Sequence, residues 1–328
     1  MKKLKGVLKS KLNQNIIILF TLFLLVLVFY FLNPNFLNKY NVITMVQSFT
    51  PYAIMGLGVT FVIATGGIDL SIGTVCIASS VIAGKLYTEG LIPLWATAFV
   101  MILTGAFFGF VNGLLVARLK LPSFIATLGI MMLSRGLSAI LVNAPNVFYP
   151  TGTFFNKFFS NFNSFPIGFV WVVFFTLLSM YLMYKNKAGR YILAIGSNEE
   201  ATYLSGIDTE KYKLIAYLIS GIGAGVAAIF WSASFVTVAT ATGNGMELDA
   251  IAGVYIGGTS ATGGVASVTG SVIGALMLVV IRSGLNFVLA LLNVTVNSTY
   301  VTYILTGIIV VLSVLIEVVK QNKLLKKG

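Results

Sequence analysis

The chain has no histidine, one cysteine and very little charge. Only 9% of its 328 residues are Asp, Glu, Lys or Arg, and 58% are hydrophobic; soluble domains carry about a quarter charged residues. Without histidine the commonest general base is missing. With Cys76 alone, an intrachain disulfide and a Cys/His metal cluster are both excluded. Nine carboxylates, mostly in loops, leave little from which to build a catalytic site. No GxxxxGK[ST] stretch occurs, so the chain has no phosphate-cradling loop of that kind.

What is present is long apolar runs. About ten segments stand out, at approximately 16–32, 43–65, 72–84, 92–117, 123–142, 167–184, 214–236, 249–262, 267–292 and 299–318. Most suit a hydrocarbon core of about 30 Å. The third and eighth are short, and a tilted, broken or re-entrant path is tolerated only where protein or a water cavity covers the backbone. The pattern predicts an all-α integral membrane protein of about ten transmembrane helices, a single domain over 1–328 in the lipid bilayer. The run behind MKKLKGVLKSK is too long for a usual signal peptide, and NPNFLNKY offers no small-x-small cleavage site. It reads as an uncleaved first span.

The net charge of +12 has a position. Lysines 2, 3, 5, 9 and 11, Arg118 and Lys120, the cations flanking 185–213, and lysines 320, 323, 326 and 327 all fall on one side of a ten-span map. Lys39, Lys85 and Lys157 fall on the other. The crowded side is cytoplasmic by the positive-inside rule, with both termini inside. The basic excess answers to the membrane, and no nucleic-acid partner is expected. The opposite loop, 143–166, is too small for a substrate-binding domain. A solute moved by this chain must be delivered by another protein.

Two internal patterns recur. Ala53-Ile54-Met55-Gly56 leads to Thr65-Gly66-Gly67-Ile68, and Ala250-Ile251-Ala252-Gly253 leads to Thr262-Gly263-Gly264-Val265 at the same offset. Such an echo is either an internal repeat of the transporter kind or a coincidence of common residues. Gly105, Gly109 and Gly113, with Gly221/Gly225 and Gly253/Gly257, make flat strips for close helix packing. GIGAG at 221–225 has the wrong spacing and setting for a dinucleotide fingerprint.

The polar interruption KNKAGRYILAIGSNEEATYLSGIDTEKYK breaks the apolar pattern. Ser197-Asn198-Glu199-Glu200 reads as a capping box, with Ser197 and Glu200 bonding reciprocally to backbone amides. Gly206 suits a left-handed stop, and Asp208 or Thr209 caps the next helix. A two-turn helix over 198–205 is expected. A helix that short needs a bundle or a partner to hold it.

GRYILAIGSNEEATYLSGID, GGIDLSIGT at 66–74 and GMELDAIAGVYIGGTSATGG at 245–264 together resemble the permeases of ribose/galactose-type ABC importers. The resemblance covers nearly the whole chain. It implies a bacterial cytoplasmic (inner) membrane permease that homodimerises. It also implies a separate ATPase with tandem nucleotide-binding domains and an extracytoplasmic protein that delivers a monosaccharide. No cofactor is implied in this chain; the partner uses ATP. Loop 185–213 becomes the cytoplasmic coupling loop, with Gly196, Ser197, Asn198, Glu199, Glu200, Ala201, Leu204, Ser205 and Gly206 as coupling positions. Leu204-Ser205-Gly206 begins like an ABC ATPase signature, but Ile207 ends it. The chain departs from the family at Val265, where a basic residue is common, and at Arg282, where an uncharged one is usual. Segment 297–307 also lacks a frequent Gln and Lys.

Eight polar residues in or beside the spans are candidate pathway or gate positions. Asp69 and Ser71 stand at the start of the third span, as caps or as a gate. Glu247 and Asp249 precede the eighth and either cap it or shape the outer mouth. Arg135 and Arg282 lie inside spans, where a central charge costs roughly 2.5–3.5 kcal/mol; they snorkel, pair with Glu247 or Asp249, or meet solute. Asn112 and Asn286 offer neutral donors and acceptors, to a passage or to neighbouring helices. Permeases for branched-chain amino acids or nucleosides share this architecture. An ion-coupled carrier needs a mid-membrane carboxylate, for which Asp69 is the sole candidate.

Overall fold

The computed structural model describes residues 2–143, 146–161, 165–240, 242–243, 245–292 and scattered positions from 300 to 315, with the backbone alone over 2–14. It is helical almost throughout. In chain order come α1 (Lys2–Leu32), α2 (Lys39–Ala64), α3 (Ile72–Thr88), α4 (Leu94–Gly113), α5 (Ser123–Val142), α6 (Phe154–Phe159) and α7 (Gly168–Met180). Then follow α8 (Lys187–Ser197), α9 (Glu199–Leu204), α10 (Thr209–Ser234), α11 (Met246–Ile256) and α12 (Val268–Leu291). One two-stranded ribbon, β1 (Asn146–Phe148) antiparallel to β2 (Thr237–Ala239), closes the end of the bundle opposite α8 and α9.

Among the described residues seven helices are long and apolar enough to cross a membrane, and Ile72–Thr88 is a shorter apolar one. The chain is a multi-pass membrane protein. α11, at the eighth apolar segment, has only 11 residues; at 1.5 Å per residue it covers about half of a hydrocarbon core. α11 alone is therefore too short to cross the core. Its surroundings make that tolerable, because Met246, Glu247, Asp249 and residues 250–254 are all buried. The last apolar segment, 299–318, lies largely outside the described residues.

α2 is the hub, with every residue from Phe49 to Ala64 buried. It packs against α10, α11 and α12. The expected glycine strips are seams: Gly105 and Gly109 of α4 face Gly221 and Gly225 of α10 backbone to backbone, and Gly253 and Gly257 of α11 do the same with Gly274 and Gly270 of α12. In lipid, close approach of this kind supplies the packing that the hydrophobic effect supplies in water. The opposite faces carry exposed Phe, Leu and Ile, as lipid-facing surfaces do.

Candidate functional site

The polar interruption folds as a corner of two short helices. Asn186 starts α8 by accepting from the amide of Ala188 at 3.0 Å. Gly189, Ile192 and Ile195 form its buried face. The chain turns extended at Asn198, whose side chain caps α9 by accepting from the Ala201 amide at 2.9 Å. The expected capping box is thereby corrected: Ser197 is the last residue of α8, and its hydroxyl donates to the Leu193 carbonyl. α9 is one residue shorter at each end than expected. Ser205 Oγ bonds back to Ala201 O at 2.8 Å, and Gly206 stops the helix at φ +81°. Asp208, not Thr209, caps α10, accepting from Lys211 N at 3.0 Å. Asn198→Ala should destabilise the α9 corner by about 1 kcal/mol, seen as faster proteolysis at 198–205 with the spans intact.

Around α9 opens a cleft of about 1330 Å³ lined by Glu199, Glu200, Tyr203, Leu204 and Asp208, with Lys120 and Ser123 across it. Leu204 is 78% exposed. Glu199 bonds Lys213 at 2.6 Å, and Lys120 stands 4.0 Å from Glu210. Both pairs are exposed and contribute little to stability, so the charges remain available to a partner.

Beneath this corner the two Thr-Gly-Gly turns meet. The Gly264 amide donates to the Ala64 carbonyl at 3.0 Å, and Gly66, Gly263 and Gly264 have positive φ. Gly196 of α8 is wedged between them: a Cβ there would overlap the Ala64 carbonyl oxygen and the Gly264 amide. A Cβ on Gly264 would lie 2.5 Å from Ser197 Oγ. Tyr184 OH donates to Ala266 O at 3.0 Å and accepts from Val268 N at 3.2 Å, which ties the start of this corner to the second turn. Gly196 thus faces the bundle, Ser197 is exposed at its edge beside Gly264, and Glu199, Glu200 and Leu204 face the cleft.

From the first turn the chain folds back into the bundle. Asp69 Oδ1 accepts from the amide and hydroxyl of Ser71, at 2.9 and 2.7 Å, and Oδ2 accepts from Ser220 Oγ at 2.7 Å. Asn112 Nδ2 donates to Ser71 Oγ at 2.8 Å. Asp69 holds Ser71 at the N-cap position of α3, where the Ser71 side chain makes no cap bond, and Ser220 and Asn112 tie this pair to α10 and α4. Thr127 and Ser123 hold the loop from α5 by accepting from the amides of Leu70 and Ile68, at 3.1 and 3.3 Å.

Farther from α8, Arg282 of α12 pairs with Asp249 of α11, and its Nη1 donates to Tyr52 OH of α2 at 3.1 Å. Glu247 of α11 is not Arg282's partner; it packs against the first turn of α3. Arg135 of α5 makes no ion pair within 4 Å among the described residues. Asn286 is exposed on α12, away from both clusters. Sequence reading misses α8, Ser220, Thr127 and Tyr52; Ser220 and Thr127 are lone hydroxyls in apolar runs, and nothing local links Tyr52 to Arg282.

The family model "Branched-chain amino acid transport system / permease component" matches residues 40–314. The ribose import permease protein of Escherichia coli strain K12 is 37% identical over 92% of this chain and 93% of its own length. That of Bacillus subtilis strain 168 is 33% identical over 90% of each. The D-allose transport system permease protein of E. coli K12 is 34% identical over 81% of this chain and 82% of its own length. No solved structure matches the chain.

Proposed function

The chain belongs to the branched-chain amino acid transport system permease family, and we propose that within it this protein is the membrane permease of an ATP-driven monosaccharide importer in the bacterial cytoplasmic membrane. The relatives that run the length of the chain are named for ribose, and others for allose and fructose. That favours a sugar over an amino acid.

The single domain 1–328 crosses about ten times with both termini cytoplasmic, and the two Thr-Gly-Gly turns belong to an internal repeat. Loop 185–213 is the coupling loop. A separate ATPase with tandem nucleotide-binding domains seats in the cleft around α9, an extracytoplasmic protein delivers the sugar at the β1–β2 end, and the chain homodimerises. The chain contributes no cofactor; ATP is consumed by the partner. The observation that carries this reading is the α8–α9 corner. It presents Glu199, Glu200 and Leu204 outward while Gly196 seats on both turns of the bundle.

Glu199→Arg with Glu200→Arg places two cations beside Lys213 and removes the acidic face of α9. ATPase recovered with the affinity-tagged permease should fall at least about tenfold, equivalent to about 1.4 kcal/mol, at unchanged membrane abundance. Full recovery of the ATPase with the double variant would reject the docking site.

A further inference from the structure

Four helices converge on the first turn of α3. Asn112 comes from α4, Ser134 from α5, Ser220 from α10 and Glu247 from α11. Ser134 Oγ bonds Thr74 Oγ1 at 3.0 Å, Thr74 Oγ1 donates to Ser71 O at 3.0 Å, and Ser71 Oγ accepts from Asn112. Glu247 presses on the same turn so closely that a Cβ on Gly73 would lie 2.7 Å from its Oε2.

Two acceptors in this ring accept nothing. Asn112 Oδ1 and Glu247 Oε2 have no hydrogen-bond partner among the described residues, on side chains 1% and 7% exposed. Buried polar atoms are nearly always satisfied, and exceptions ask for a reason. Both orphans are oxygens that need donors. They flank a string of hydroxyls, Ser134 to Thr74 and Ser71 to Asp69, with Ser220 on the other Asp69 oxygen.

We infer that the first turn of α3 is an intramembrane binding site for a polyhydroxylated neutral solute, whose O–H groups donate to Asn112 Oδ1 and Glu247 Oε2 and exchange with the Ser134–Thr74 bond. A polyol suits the ring because each sugar hydroxyl both donates and accepts. α5 is the element that opens it. Thr127 and Ser134 tie α5 to α3 and its loop by hydroxyl bonds, and Gly129 and Gly136 have nothing within 4 Å of a Cβ position. The site names the sugar-contacting residues of the import activity proposed above and rests on that reading.

The test uses vesicles holding the complete transporter, this chain with its ATPase and binding protein. Wild-type uptake is measured with tritiated D-ribose, D-allose and D-fructose, and the imported sugar is compared with its deoxy analogues. Glu247→Gln and Ser134→Ala are small enough to fold. Each should reduce the preference for the full sugar over at least one deoxy analogue about tenfold, with unchanged abundance and ATPase recovery. The same binding protein serves every variant, so its own selectivity cancels from the comparison. Wild-type preference in both variants overturns the site and leaves the import reading standing. A wild-type complex that accumulates none of the three sugars overturns both.

Discussion

Gly196→Ala is expected to reduce ATP-driven uptake at least about a hundredfold while the protein still reaches the membrane and still recovers its ATPase. The reason is steric. A methyl group at this position overlaps the Ala64 carbonyl oxygen and the Gly264 amide, both backbone atoms of the paired turns. Side chains can rotate away from a methyl, but these turns cannot, because the Gly264–Ala64 hydrogen bond joins them. Overpacking of this kind costs about 1–3 kcal/mol, relieved by lifting α8 off the bundle. The α9 face is still presented, so docking survives. What is lost is the seat through which a push on α9 reaches Gly66 and the Asp69–Ser71 cluster behind it.

Gly206→Ala is the matching control. It too sits beside α9, with φ +81°, but a Cβ there meets nothing within 4 Å. Its expected cost is only the left-handed strain of about 1–2 kcal/mol, confined to the α9–α10 turn. Uptake that falls equally in both variants would show that any loosening of the corner uncouples the transporter, and the wedge would lose its special standing.

Helices are legible in this sequence wherever hydrophobicity and punctuation agree. α5 occupies 123–142 as expected because Pro122 stands at its start and Asn143 takes a left-handed conformation at its end, φ 47°. The glycine strips are legible for a similar reason, since a spacing of four puts them on one helix face. α8 is not. Its apolar face, Ile192, Leu193 and Ile195 beside Gly189, is far shorter than a membrane crossing and lies inside a stretch with polar flanks. That omission moves the cap: once Ser197 belongs to α8, its hydroxyl turns back to Leu193, and the extended Asn198 does the capping. The contact between the two Thr-Gly-Gly turns is long-range, and no local pattern encodes it. The ring on α3 is hidden likewise. Ser134 and Ser220 each look like an ordinary interhelical hydroxyl until the packing brings them to one turn.

The charged pair between α11 and α12 yields the other large expected effect. Arg282→Met should lower the thermal midpoint of the solubilised protein by the equivalent of about 3–5 kcal/mol. It takes the cationic partner from Asp249, whose side chain is 6% exposed, and the donor from Tyr52. Asp249→Leu should cost less. Arg282 is 26% exposed on the side chain, keeps its bond to Tyr52, and stacks its guanidinium 5.5 Å from that ring centre. A long cation can reach for water; a short carboxylate in the first turn of a half-length buried helix cannot. Replacing both residues with apolar ones removes both buried charges and should recover most of the midpoint, because a buried pair as a whole adds little net stability. The double variant therefore decides the matter. If its loss equals the sum of the two single losses, Asp249 and Arg282 are not energetically coupled, and the charge inside α12 must be explained some other way.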